Sequence, residues 1–159
     1  MINQVFDQLD LWIEQKNQEA QTEGFLGINR VDIRIVGQTA LLEANLHIYV
    51  AATIDVDTKN QIEYSVRKKF SELLEVRGKI LDPVGHEAWM PDETEYRQIF
   101  DGSNLSGYIA EPVFVILSKA KKAPVKNKDL IAEYLASVDL DQRIFQLARK
   151  YQVDLDAFV

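Results

Sequence analysis

Asp55 and Asp57, in the run Ala52-Thr53-Ile54-Asp55-Val56-Asp57, are the residues of this chain best spaced to do chemistry. The run is rich in β-branched residues, which favour extended backbone, and a strand sends successive side chains to opposite faces. Ile54 and Val56 then face one way and both carboxylates the other. Two neighbouring acids repel unless a cation sits between them. Hard divalent ions such as Mg²⁺ suit such a pair, because they take carboxylate oxygens and keep waters and substrate phosphates as their remaining ligands. The plain alternative is a solvated strand end with two acids on its wet face.

The segment upstream bears on that choice. Val31, Ile33 and Ile35 define one face of a short strand, which passes through the single Gly37 into Gln38-Thr39-Ala40-Leu41-Leu42-Glu43, mostly good helix formers. Glycine at a strand-to-helix turn lets backbone approach a ligand closely, and the helix N-terminus behind it offers free N–H groups to phosphate. Asp55 follows Gly37 by about 18 residues.

Gly37, Thr39-Ala40-Leu41 and Thr53-Ile54-Asp55-Val56-Asp57 together resemble the signature of the nucleotidyltransferase superfamily, in which a Gly-Gly or Gly-Ser turn precedes a strand carrying paired metal-binding acids. Within it the chain most resembles small bacterial proteins related to AbiEii-type toxins, whose pattern runs Gly-Gly-x-Ala-Leu and then Thr-x-Asp-Ile-Asp. Trp89-Met90-Pro91, the run Glu111-Pro112 to Lys121, and Lys128-Asp129-Leu130-Ile131 are similar to the later region of those proteins, so the likeness spans residues 30 to 135. The resemblance implies an α/β (α+β) fold, a small mixed sheet flanked by helices with a helical C-terminal part. It also implies Mg²⁺ on Asp55 and Asp57, with Gly37, Gln38 and Thr39 at the phosphates of a nucleoside triphosphate. Lys119 would neutralise the transferring phosphates, and Asp129 would orient Lys119 or a nucleotide hydroxyl. Such sites carry a third carboxylate on a neighbouring strand, for which Asp82 is the first candidate and Asp101 the second. The acceptor would be a hydroxyl of an RNA, tRNA among them, or of a protein, and the chain would be the toxin of a toxin–antitoxin or phage-defence pair with an antitoxin as partner.

Two departures motivate a second reading. Gln38 stands where the family has Gly or Ser, and Ala51 and Ala52 occupy the stretch where a basic residue often precedes the acids. A degenerate transferase fold that binds a nucleotide or a partner without catalysis would accommodate both. A third reading is a protein-binding module in which the acid pair is a coincidence of strand alternation.

Bulk properties narrow the classes. A chain of 159 residues with 47% hydrophobic and 27% charged content suits one soluble domain, 1–159, read as an N-terminal helix (1–22), a sheet core (30–111) and a helical part (112–159). Zero cysteines exclude disulfides and thiolate chemistry. No apolar run reaches membrane-spanning length and the N-terminus lacks the form of a signal peptide, so no membrane partner and a cytoplasmic location are expected. The net charge of −7 argues against broad nucleic-acid binding. The local exception is Lys119, Lys121, Lys122, Lys126 and Lys128, five lysines in ten residues, which read either as a solvated helix end or as a phosphate-facing wall. At about 100° per residue, Lys121 should point away from whatever Lys119 faces. His47, His86, Trp12 and Trp89 read as surface or packing residues, with Trp89 a possible base-stacking ring. Two histidines and no cysteine assemble no Ser-His-Asp arrangement or zinc site.

Periodicity supplies the frame. Ile2, Val5, Phe6, Leu9, Trp12 and Ile13 form a helical stripe, as do Ile62, Val66, Phe70, Leu73 and Leu74. Strands are expected at 31–36 and 52–57, side by side, with residues 46–50 extending one neighbour or the other. Ile80 to Asp82 and Gly107 to Ala110 are the expected strands of the turn-rich middle. Helices follow at 112–122, 128–136 and 140–151, the last capped by Ser137 or Asp139, and the terminal Val153, Leu155 and Phe158 are expected to dock. Helices 62–76 and 112–122 should pack on the sheet.

Overall fold

The apolar stripe Ile2, Val5, Phe6, Leu9 and Ile13 lays one face of α1 (Ile2–Glu23) on the protein core, and Gly24, at φ 76°, ends the helix in the left-handed region that glycine adopts without a Cβ penalty. A computed structural model describes all residues 1–159. After α1 the chain forms β1 (Val31–Val36), α2 (Gly37–Glu43), β2 (Asp55–Thr58), α3 (Tyr64–Glu75), β3 (Ile80–Leu81), β4 (Tyr96–Asp101), β5 (Leu105–Ala110), α4 (Pro112–Lys122), α5 (Lys128–Leu135) and α6 (Arg143–Lys150). The fold is mixed α/β, with six α-helices and one five-stranded mixed sheet of order β3-β2-β1-β5-β4. β1 runs parallel to β5 and β2 parallel to β3, while the β1–β2 and β4–β5 pairs are antiparallel. No helix is long and apolar enough to cross a membrane.

One face of the sheet is covered and the other stays partly open. Ile33 and Ile35 of β1 lie beside Gly107 and Ile109 of β5, and with Val56 and Leu81 they form the covered face. Phe6 of α1 sits over Gly107, where an added Cβ would collide with its ring. Its ring also stacks on Phe70 of α3 at 5.9 Å and meets Phe100 of β4 at 5.8 Å. The opposite face carries Asp32, Arg34, Tyr108 and Tyr96, with the Arg34 guanidinium over both tyrosine rings at 6.0 and 5.5 Å. α2 leaves the end of β1 directly and packs on α4, which in turn packs on α5 and α6. Leu155 and Phe158 are buried in a terminal 3₁₀ turn, so the C-terminus docks as the sequence suggests.

Several elements differ from the sequence reading. The strand expected at 52–57 is regular only at 55–58, because Ala51 to Thr53 are held by other groups rather than by a ladder. Residues 46–50 extend neither neighbour; Leu46, Ile48 and Val50 pack inward from irregular backbone, which explains their alternation. β4 was not expected, since its irregular register between Gln98 and Phe100 breaks the period of two that marks a strand. α3 and α5 are slightly shorter than their stripes, spanning 64–75 and 128–135. α6 begins at Arg143, so neither Ser137 nor Asp139 caps it; Asp139 instead accepts the His47 backbone N–H at 2.7 Å. α4 packs on α2, α5 and α6, and its Val115, Ser118 and Lys119 share a cleft wall with Val36 of β1 and Asp57 of β2.

Gly107 is therefore a packing requirement beneath the Phe6–Phe70–Phe100 cluster. Gly107→Ala should destabilise the protein by roughly 1–3 kcal/mol, the usual cost of overpacking. Urea unfolding checks it, and an unchanged midpoint would mean that Phe6 moves aside freely.

Candidate functional site

Strand alternation in β2 buries Val56 and Thr58 and leaves Asp55 and Asp57 on the open face. Asp82 reaches the same place because β3 runs parallel to β2. Leu81 pairs with Val56, and the Asp82 N–H donates to the Val56 carbonyl at 2.9 Å, which brings the Asp57 and Asp82 carboxyl groups within hydrogen-bonding reach. Asp82 also shapes the turn that follows, its Oδ1 accepting from the Val84 N–H at 2.9 Å.

Two glycines make room for Asp57. Gly37, at φ 70°, lies so close that an added Cβ would stand 2.7 Å from Asp57 Oδ2. Gly85 packs on the strand from another side, where a Cβ would stand 3.0 Å from Asp57 Cα and 3.1 Å from the Thr58 nitrogen. Lys59 fastens that turn, its Nζ donating to the carbonyls of His86 and Ala88 at 3.1 and 2.7 Å. The Gly37 turn thus approaches a carboxylate of this chain, whereas the sequence suggested an approach to phosphate.

The electrostatics follow from this crowding. Burial pushes the Asp57 carboxyl up from 3.8 to about 6, helped by the charge and hydrogen bond of Asp82 and then by the charge of Asp55, while Lys119 opposes the shift. Burial also holds the Lys119 ammonium below the usual lysine value, with Lys126 adding repulsion and Asp57 pulling the other way. Asp55, Asp57 and Asp82 take part in none of the chain's ion pairs. No three His, Asp or Glu side chains converge as a ready-made ligand set for a metal ion. The acids form a close pair, Asp57 with Asp82, and a third, exposed carboxylate two residues along β2.

A cleft of about 210 Å³ opens beside Asp57, with Gly37, Ser118, Lys119, Lys122 and Lys126 in its wall. An adjoining cavity of about 500 Å³ shares Lys119, Lys126 and Asn127 and adds Gln38, Tyr49, Thr53 and Asp129. Gly37, Asp57 and Lys119 are therefore brought together as the sequence suggested, with Asp82 against Asp57. Gln38 and Asp129 lie in the second cavity, and the Gln38 side chain is turned to the Ala51 carbonyl, to which it donates at 2.9 Å. Thr39 reaches neither cavity; its buried hydroxyl donates to the Asp55 carbonyl at 3.0 Å and anchors the start of β2. Asp101 is paired with Arg30 at 2.9 Å on β4, at the opposite edge of the sheet from β3.

Of the lysines, Lys119, Lys122 and Lys126 share the cleft. Lys121 is turned away, donating to the Tyr151 carbonyl at 2.9 Å and lying 5.5 Å from the Trp89 ring. Trp89 packs edge-on against Tyr151 at 5.1 Å and does not line the cleft. Lys122 was recoverable from its position one helical turn beyond Lys119. Tyr49 was not singled out, although its place between the inward Ile48 and Val50 was the available signal.

No family model, curated protein or solved structure matches this chain.

The raised Asp57 value sets a pH dependence. Its folded value, about 6, lies above the ordinary 3.8, so the protonated carboxyl favours the fold. That contribution is complete below 3.8 and is lost as pH rises through about 6. Asp57→Asn should therefore raise thermal stability above pH 7 and lose most of that advantage at pH 4. A melting-temperature difference that does not change with pH would contradict this.

Proposed function

We propose that this chain is a Mg²⁺-dependent nucleotidyltransferase of the superfamily its motifs resemble, related to AbiEii-type toxins and acting in the cytoplasm. It would move a nucleotide from a nucleoside triphosphate to a hydroxyl of an RNA, tRNA among them, or of a protein, as the toxin of a pair whose other member is an antitoxin. The observation that carries the reading is the meeting of Asp57 and Asp82 from adjacent parallel strands on the open sheet face, with Asp55 beside them and Lys119 across the cleft.

The donors suit Mg²⁺. They are hard carboxylate oxygens without an ion-paired cation, and burial together with the neighbouring acids raises the Asp57 carboxyl to about 6. Asp55 and Asp57 would hold the ion with Asp82 close by, and substrate phosphate and water would fill the remaining positions. When bound, Mg²⁺ supplies charge neutralisation and polarisation at the phosphates.

The rest belongs to the chain. Lys119, Lys122 and Lys126 bind the triphosphate along the cleft wall. Lys119, partly buried and repelled by Lys126, gains most from charge that grows on the leaving phosphates. Asp82 accepts the proton of the attacking hydroxyl. The hydroxyl oxygen bonds to the α-phosphorus as the bond to the departing pyrophosphate breaks.

A specific observation favours a second reading, a transferase fold that binds a nucleotide or partner without catalysis: no three acidic or imidazole ligands converge. Pyrophosphate release with candidate RNA and protein acceptors separates the two. Under the first reading release requires Mg²⁺ and Asp57→Asn abolishes it, whereas under the second Mg²⁺–nucleotide binds and nothing is released.

Lys119→Ala should lower kcat on the order of a hundredfold or more while changing nucleotide affinity less, because its interaction strengthens in the transition state. Lys121→Ala should leave turnover within about twofold, since its ammonium is occupied by Tyr151. Equal effects from the two substitutions would count against a transferase site here.

A further inference from the structure

The larger of the two adjoining cavities shares only Lys119 and Lys126 with the chemistry above, and the rest of its wall, which has no role there, is built. At about 500 Å³ it falls within the range of small-molecule sites. One wall is the irregular segment 45–54 and the other is the start of α5. The segment is fastened along its length. The His47 N–H donates to Asp139 at 2.7 Å, Gln38 holds the Ala51 carbonyl at 2.9 Å, and Lys79 Nζ donates to the Thr53 carbonyl at 2.6 Å. Leu46, Ile48 and Val50 pack against the core from the same segment. An irregular loop tied down in this way holds its outward side chains in place before any ligand arrives.

The outward side chain at its centre is Tyr49. Its ring is 77% exposed, forms no hydrogen bond and stacks on no other ring, although it lines the cavity. A rigid aromatic face beside a cavity presents area for stacking at small conformational cost. The same cavity shares Lys119 and Lys126 with the cleft beside Asp57, so a ligand with its phosphates on those lysines would direct its remaining part toward Tyr49. Gln38 lines the same cavity, with its amide already bonded to the Ala51 carbonyl at 2.9 Å.

We propose that this cavity is the nucleoside subsite and that Tyr49 binds the substrate by stacking on its planar heteroaromatic base. The proposal rests on the nucleotidyl-transfer reading and adds to it the residue that holds the nucleoside. Stacking uses the π-face that every base has, so Tyr49 supports affinity for all four nucleotides and does not select among them.

The test measures Mg²⁺-dependent binding of a nucleoside triphosphate and of inorganic tripolyphosphate to the full chain and to Tyr49→Ala, Tyr49→Leu and Tyr49→Phe. Tyr49→Ala and Tyr49→Leu should weaken nucleotide binding by roughly tenfold to a hundredfold. Tyr49→Phe should stay within about threefold, since it keeps the ring, and tripolyphosphate should bind all four proteins alike. Because the ring is exposed, melting temperatures should not change, which separates lost stacking from lost fold. Unchanged nucleotide affinity in Tyr49→Ala would overturn the subsite while leaving the transferase reading intact. Equal weakening of tripolyphosphate would overturn it too, because the loss would then lie in the shared wall. Absence of binding by both probes to the unaltered chain would remove the transferase reading itself.

Discussion

The crowding of the Asp57 carboxylate is the interaction on which the site depends. Like charges separate when they are free to, and three features prevent it here. The parallel β2–β3 pairing carries Asp82 to Asp57, the Gly85 turn presses on the strand backbone, and Gly37 approaches the carboxylate itself. Lys59 fastens the Gly85 turn through two carbonyls, although it lies two residues beyond Asp57 on the same stretch of chain. Burial first, and then the nearness of Asp82 and Asp55, leave the Asp57 carboxyl raised to about 6. A group held in an unfavourable charge state has the most to gain from a cation.

The lysine wall is built by a related compromise. An acidic chain with net charge −7 concentrates cations at the end of α4, where Lys119, Lys121 and Lys122 occupy the last turn and complement the negative end of the helix dipole. Lys119 and Lys122 lie on the cleft side, where Lys126 joins them. Helix geometry already turns Lys121 outward, and the Tyr151 carbonyl and Trp89 ring receive it there.

Much of this was legible in the sequence, and the limits have physical causes. Alternation in Thr53 to Asp57 put both acids on one face, and the helical stripes located α1 and α3 closely, because period and burial agree in those elements, while Pro112 marked the start of α4. β4 escaped because an irregular register interrupts its alternation, and Leu46 to Val50 imitated a strand because inward packing alternates even without a ladder. Asp82 could be named from its place after a short apolar run, but its contact with Asp57 depends on a parallel pairing that local pattern does not encode. Thr39 matched a motif by type and Gln38 only occupied a motif position, and the side chains of both hold carbonyls, those of Asp55 and Ala51. A motif gives residue identity, whereas the hydrogen bonds of irregular backbone decide where those side chains are spent.

Those bonds also account for how a strand of four residues can hold a site at all. β2 makes few ladder bonds, and of the ten residues before it Ile54 alone joins the ladder, its carbonyl accepting the Ile80 N–H at 2.9 Å. Short pairings with β1 and β3 hold β2 in the sheet, and side-chain donors add to them. Thr39 and Gln38 come from α2, Lys79 comes from the residue before β3, and Lys59 continues from the strand itself. Each donor comes from an element that also faces the core, where Ala40, Leu41 and Leu81 are buried. The α1 and α3 layer beneath the sheet supplies the apolar burial that stabilises the fold, and the open face is left free to carry charge that packing alone would reject. Positional precision at Asp57 is thus transmitted from the core through a few hydrogen bonds, and the irregularity of the backbone around it is what leaves room for the two cavities.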